Sequence, residues 1–191
     1  MKYQQVILSG IVLFIAVQLP LVTAYAQAAS SSASKTPAAP SRSAKEVAAY
    51  QLPYPGMLPD NPLYFLKVVR DDLTAFFIGK PLAKASFDLL QSDKDVEASY
   101  LLVTREQGKE TLALQTFSQS QDYFVDAIKQ VKSAKKQGYS ILEISKKLQA
   151  SAQKHEQMLQ SVGQQTHQQN SSTFKRELVR EKALSNMAKV L

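Results

Sequence analysis

The chain has no cysteine, no tryptophan, two histidines and six glycines in 191 residues. Without cysteine there are no disulfides, no thiolate metal sites and no acylated cysteine of the lipoprotein kind. Such a composition suits an oxidising extracytoplasmic compartment, where a free thiol is a liability. Two imidazoles, His155 and His167, leave little for a nucleophile–base–orienter arrangement. No HExxH, P-loop, GxGxxG or GxSxG pattern occurs. Lacking tryptophan, any aromatic platform for a peptide or sugar rests on Tyr50, Tyr54 and Tyr64. Aromatic residues at the start of a helix more often cover a core than grip a ligand.

Strand-like alternation is missing as well. The eight prolines fall before position 82, and the rest is rich in Ala, Leu, Lys, Gln and Ser, a helical composition.

Hydrophobic residues make up 45% of the chain and charged ones 20%, with a formal net charge of +7. Residues 1–28 read as a signal peptide. Lys2 supplies the positive start, Val6–Val17 (VILSGIVLFIAV) the apolar run, Pro20 a helix break, and Ala24-Tyr25-Ala26 and Ala26-Gln27-Ala28 small-x-small cleavage patterns. An uncleaved anchor is the alternative, because Val6 to Ala26 is long enough to span a bilayer. Removal of the leader takes away Lys2 and leaves +6. That excess favours anionic partners such as wall polymers, headgroups or acidic proteins. Residues 29–49 (Ala/Ser/Pro-rich) lack the large apolar side chains that offset ordering entropy, and read as a disordered linker.

The remainder predicts an all-α antiparallel bundle of four to five helices built on a long hairpin. Residues 50–162 form its helical domain. A Pro-rich opening motif covers 52–62, with Pro53, Tyr54, Pro55, Gly56, Leu58, Pro59, Asn61 and Pro62 as its structural residues. Pro55-Gly56 fits a type II turn, Asn61 an N-cap and Pro62 the first helical position. Leu63, Leu66, Val69, Leu73 and Phe76-Phe77 follow as an apolar stripe, with Gly79 closing the helix. Pro81 opens a second helix with Leu82, Phe87, Leu90, Val96, Leu101 and Leu102 as core candidates. A third carries Leu112, Leu114, Phe117, Phe124, Ile128 and Val131 and stops at Lys135, Lys136 and Gly138. The fourth opens on a capping-box pattern, Ser140 to Glu143, and places Ile141, Ile144, Leu148, His155, Met158, Leu159 and Val162 on one side.

Residues 163–172 (GQQTHQQNSS) read as a mobile polar loop. Residues 173–191 form a basic final helix, peripheral to the core, with Phe174, Leu178, Leu184 and Met187 on its apolar side. Its Lys175, Arg176, Arg180 and Lys182 are candidates for binding an anionic surface, a lipid headgroup layer included, and the favoured alternative to lipid is that the helix docks on the bundle through that apolar side. Asp93, Asp95 and Glu97 read as a solvated helix face, and His155 as a packed core histidine.

The opening segments carry a resemblance. Leu52-Pro-Tyr-Pro-Gly56, Leu58-Pro-Asp-Asn-Pro-Leu-Tyr-Phe-Leu-Lys67, Arg70-Asp71 and Pro81-Leu-Ala-Lys-Ala-Ser-Phe87 resemble the DUF5667 domain family, bacterial domains of unknown function. The likeness covers Tyr50 to about Tyr100, and a weaker helical pattern continues to around 140. It implies an exported or membrane-tethered helical protein, and brings no catalytic residues. Such proteins carry an acidic residue before the second helix; Lys80 stands there here, removing an N-cap acceptor worth about 1 kcal/mol.

Together these readings name no catalytic, cofactor-binding or metal-binding residue. They describe a non-catalytic binding or scaffolding domain of the bacterial envelope. The alternative is an extracytoplasmic sensor of an anionic polymer, membrane surface or metal. The expected partner is an envelope protein, anionic polymer or membrane surface, with neither nucleic acid nor a small-molecule substrate indicated.

Overall fold

The computed structural model describes residues 50–105 and 108–191, which belong to one compact unit. The expectations for the leader and linker lie outside them. Among the described residues there are five helices and no strand: α1 (Tyr64–Phe77), α2 (Pro81–Arg105), α3 (Glu110–Lys136), α4 (Leu142–Thr166) and α5 (Ser172–Lys189).

Helices α2 to α5 form the bundle. At 25 and 27 residues, α2 and α3 run about 40 Å each and turn back on one another beyond Gly108. Their seam explains how closely they pack. Ala85, Asp88, Ser92, Asp95, Ser99 and Leu102 recur at steps of three and four along α2. Ala113, Phe117, Ser120, Phe124, Ala127, Val131 and Ala134 do the same along α3, and all are buried. Small residues on both sides let hydroxyls reach across to backbone. Ser92 Oγ donates to the carbonyl of Ser120 at 2.7 Å, and Ser99 Oγ to that of Ala113 at 2.8 Å. Of the expected α2 core positions, Val96 and Leu102 are buried and Leu82, Phe87 and Leu101 half-buried. Leu90 is exposed instead, because the seam runs along the Ala/Ser face rather than the leucine face.

Helix α4 packs on α2, and α5 packs on α4 and α3, closing the fourth side. The last helix is therefore an integral member of the bundle, not a peripheral one, and the domain extends through it. Ser171 caps it, Oγ accepting from Phe174 N–H at 3.1 Å. Half of the segment read as a mobile loop at 163–172 is helix. α4 continues to Thr166 and only five residues join it to α5. Gly163 explains the continuation: it is buried, and a Cβ built there would lie 2.4 Å from the Phe174 ring, so the ring packs directly on the α4 backbone. The Ser140–Glu143 capping box does not form. α4 starts at Leu142, which puts Glu143 at the second helical position, one residue early for that exchange.

Two apolar clusters fill the interior. Towards one end lie Leu89, Phe124, Ile128, Val131, Leu148 and Leu184; towards the other, Val96, Phe117, Met158, Leu159, Val162 and Phe174. Each large side chain so buried contributes about 1.5–3 kcal/mol.

The opening segment wraps this bundle. Asn61 N–H bonds to Leu58 O at 3.1 Å and Tyr64 N–H to Asn61 O at 3.0 Å, two successive turns with Pro59 and Pro62 at their second positions. Asn61 Oδ1 accepts from Leu63 N–H, so the asparagine caps this turn, and the regular helix starts two residues after Pro62, at Tyr64. Gly56 has φ +75°, the value a type II turn needs at its third position. Leu58 packs on Ala98, Leu102 and Ala113, and Asp60 pairs with Lys109 at 2.7 Å.

Helix α1 inverts the expected arrangement. Its apolar stripe faces outward: Phe76 is 81% exposed, Phe77 74%, Val69 61% and Leu73 57%, with Leu63, Phe65 and Leu66 also exposed. The side turned to the bundle carries Tyr64, Lys67, Val68, Asp71 and Ala75, all buried or half-buried. The stripe was expected in the core. It lies outside because α2 to α5 already bury one another's faces, and the surface of α2 and α3 beneath α1 presents polar groups.

Candidate functional site

Two features stand out as candidates: a polar layer inside the bundle and the outer face of α1.

The polar layer lies between the two apolar clusters. α2 contributes Asp93, α3 Gln121, α4 Ser151 and His155, and α5 Glu177 and Glu181, all buried. His155 Nε2 lies 2.8 Å from Asp93 Oδ1 and 3.0 Å from Ser151 Oγ, and the Ser151 hydroxyl donates to the same Asp93 oxygen. Contact with a carboxylate places a proton on Nε2. From the opening segment, the Tyr50 hydroxyl donates to Asp93 Oδ2, and burial beside that carboxylate pushes the phenol's pKa up. On the other side of the imidazole, Nδ1 stands 3.9 Å from Glu181 Oε1, and neither atom has a hydrogen-bond partner. Gln121 Nε2 donates to Glu181 Oε2 at 3.1 Å and to Glu177 O at 2.9 Å. Burial raises the Glu181 carboxyl above its ordinary range, with His155 and Gln121 opposing.

This constellation contains serine, histidine and aspartate but not their catalytic relay. A relay needs the acid on one ring nitrogen and the hydroxyl on the other; here both meet Nε2, and Ser151 gives its proton to Asp93. His155 has no exposed surface. What the arrangement does is tie α2, α4 and the opening segment together through the Asp93 carboxylate, and α3 to α5 through the Gln121 amide. Among the described residues, no group of three or more His, Asp or Glu side chains is placed to hold a metal ion.

Beneath α1 lies a second set of acids. Asp71 takes Arg70 Nη2 at 2.7 Å and Lys67 Nζ at 3.4 Å, and Lys67 also sits over the Tyr64 ring at 5.0 Å. Asp95 of α2 is buried near Lys67 and Asp71, and burial pushes its carboxyl up to about 7. Burial, helped by the Asp95 charge, lifts the phenols of Tyr64 and Tyr123, the latter to about 12. Lys84 Nζ approaches the carbonyl of Ala75 at 3.4 Å. Seated on this polar floor, α1 presents its apolar side away from the bundle.

At the edge of that side is an open depression of about 470 Å³ lined by Tyr54, Met57, Leu66, Lys67, Arg70 and Lys94, among others. Arg70 and Lys94 thus border the apolar stripe, with Lys67 on the inner side. No helix among the described residues is long and apolar enough to cross a membrane.

The residues singled out from sequence fall in different places. In the opening motif Pro55 and Leu58 are buried, Pro53 and Pro59 half-buried, and Tyr54, Gly56, Asn61 and Pro62 exposed. On α5, Arg180 is held by Asp122 and the carbonyl of Ser118, and Arg176 by Glu177 at 2.8 Å; Lys175 and Lys182 are exposed. The helix's apolar side, Phe174 and Leu184 above all, is buried in the bundle, so no amphipathic face remains there for lipid. The expected solvated face of α2 is corrected. Asp95 is only 2% exposed because it lies on the small-residue seam and Asp93 only 3% because it faces Ser151 and His155 of α4, while Glu97 is half-buried. Of the missed residues, Asp93, Gln121, Glu177 and Glu181, only Asp93 stands beside a visible signal: Ser92 and Ser99, seven apart, mark a buried side of α2. His167, exposed in the short loop, adopts φ +54° at the end of α4.

No family model matches this sequence, and no curated protein and no solved structure matches it either.

Proposed function

We propose that this chain is an exported, non-catalytic helical binding domain of the bacterial envelope, and that the outer face of α1 is the surface with which it binds. The observation that carries this reading is the inversion of α1, with six large apolar side chains outward over a polar floor. A contiguous apolar patch of this kind marks an interaction surface rather than ordinary exposed leucine. The leader-like first 28 residues and the resemblance of residues 50–100 to the DUF5667 family support export. The titratable residues best suited to chemistry are engaged inside the bundle, which favours binding over catalysis. A sensor of an anionic polymer or membrane surface is the second reading, favoured by the exposed Lys175 and Lys182 of α5.

The absence of native cysteine makes a clean test. A single cysteine at Leu73 of α1 or at Lys182 of α5 is introduced into the full chain. Its reaction with a maleimide is followed in dilute solution and in isolated cell envelopes. Position 73 is expected to react several-fold more slowly in the envelope, with position 182 unchanged. Equal rates at 73 in both settings sink the reading, and protection at 182 alone transfers the surface to α5.

A further inference from the structure

The geometry points to an anionic lipid bilayer as the occupant of the α1 face, an inference that rests on the reading of that face as the binding surface. Three observations select this partner. The first is width. At 100° per residue, Phe65, Leu66, Val69, Leu73, Phe76 and Phe77 cover about 120° of the helix, and Leu63 widens this to about 160°. A coiled-coil seam uses a narrower stripe, two positions in seven. A face this broad matches a helix lying in the plane of a membrane with its apolar side sunk about 5–10 Å.

The second is composition. Three of the six side chains are phenylalanine, and two of them, Phe76 and Phe77, are the most exposed large hydrophobics on the helix. Aromatic and leucine side chains on one face with cations beside them are the pattern of interfacial helices.

The third is charge. Arg70 and Lys94 border the stripe around the 470 Å³ depression, next to Leu66 and Tyr54, while Lys67 lines it from the inner side, paired with Asp71. Lys80, exposed, follows the far end of the helix, and Lys84 lies half-buried one turn on. Asp71 is turned inward against Arg70 and Lys67, which leaves Asp72 as the exposed acid of α1. A phosphodiester headgroup settling in the depression would meet Arg70 and Lys94 while its acyl chains meet the phenylalanines. Two copies of α1 face to face would bring like charges together along the same border, so charge favours lipid over a second copy.

The test uses the full chain with an environment-sensitive fluorophore on a cysteine at position 73 or, as control, at position 182. Vesicles of phosphatidylcholine alone are compared with equal parts phosphatidylglycerol and phosphatidylcholine, each with and without brominated acyl chains. The fluorophore at 73 is expected to shift to the blue and to be quenched by brominated lipid, several-fold more with phosphatidylglycerol present. Arg70→Glu with Lys94→Glu should reduce that difference, and circular dichroism confirms that the helices remain. No shift at 73, or equal quenching at 73 and 182, overturns the proposal. So does a shift that grows with protein concentration without lipid, which assigns the face to a second copy. If position 73 is protected in envelopes but silent in vesicles, the bilayer is wrong while the binding surface stands.

Discussion

Asp95 shows what a single buried residue does to the energetics. Its carboxyl is shut off from bulk solvent, Oδ2 has no hydrogen-bond partner, and the nearby Lys67 offsets only part of the cost. The folded pKa of about 7 stands above the ordinary value of 3.8, so the folded state holds its proton more tightly than the unfolded chain. Stability from this group is therefore complete below about pH 4 and is lost as pH rises through 7. Asp88, raised to about 6 by burial, acts in the same direction. Asp95→Asn removes the charge while keeping a similar shape. At pH 8 it is expected to raise the melting temperature by roughly 5 °C, about 1–3 kcal/mol, and at pH 4 to change it little. Melts at the two pH values check this; an equal effect at both, or a lower melting temperature at pH 8, contradicts it. Such acids were hard to see in the sequence. Asp93-Lys94-Asp95 has the look of a solvated stretch, and only the serines seven apart show that the chain turns it inward.

At the scale of the element, local chemistry was readable and orientation was not. Pro81 at a first helical position, Lys135-Lys136 in a last turn and Gly138 beyond it are backbone constraints that act wherever the helix sits. They locate α2 and α3 closely from sequence. The stripe on α1 is equally plain, but amphipathicity states only that a helix has two unlike sides. Which side meets the bundle depends on what the bundle offers, and here that is Asp95 and Tyr123. The consequence is measurable. Leu73→Glu, on an outward face that touches no core cluster, should change stability by about 0.5 kcal/mol or less. Leu148→Ala, at a fully buried position of α4, should cost about 2–5 kcal/mol. Urea melts of the two variants distinguish them. A large loss for Leu73→Glu means that α1 covers the core after all.

For the whole molecule, the decisive element is the one that reads from sequence as peripheral. α5 has weak apolar patterning because its inner side is built from Glu177, Glu181 and Ser185 as well as Phe174, Leu184 and Ala188. A side like that is recognised as interior only once its partners are in place: Gln121 on α3, His155 on α4, and the Gly163 backbone against Phe174. Sequence periodicity records the residues of one helix, and these partners lie 10 to 60 positions away. If α5 were peripheral, a chain ending at residue 171 would keep a cooperative melt. The bundle geometry requires the opposite. Loss of α5 leaves Gln121 Nε2 without either acceptor and opens Leu148, Leu159 and Val162 to water. Some helix would persist while fixed packing is lost. The truncated chain is expected to keep far-UV helical signal, bind a hydrophobic dye and melt without a sharp transition. A cooperative melt within a few degrees of the full chain would show instead that α2 to α4 hold the fold unaided and that the polar layer binds α5 without depending on it.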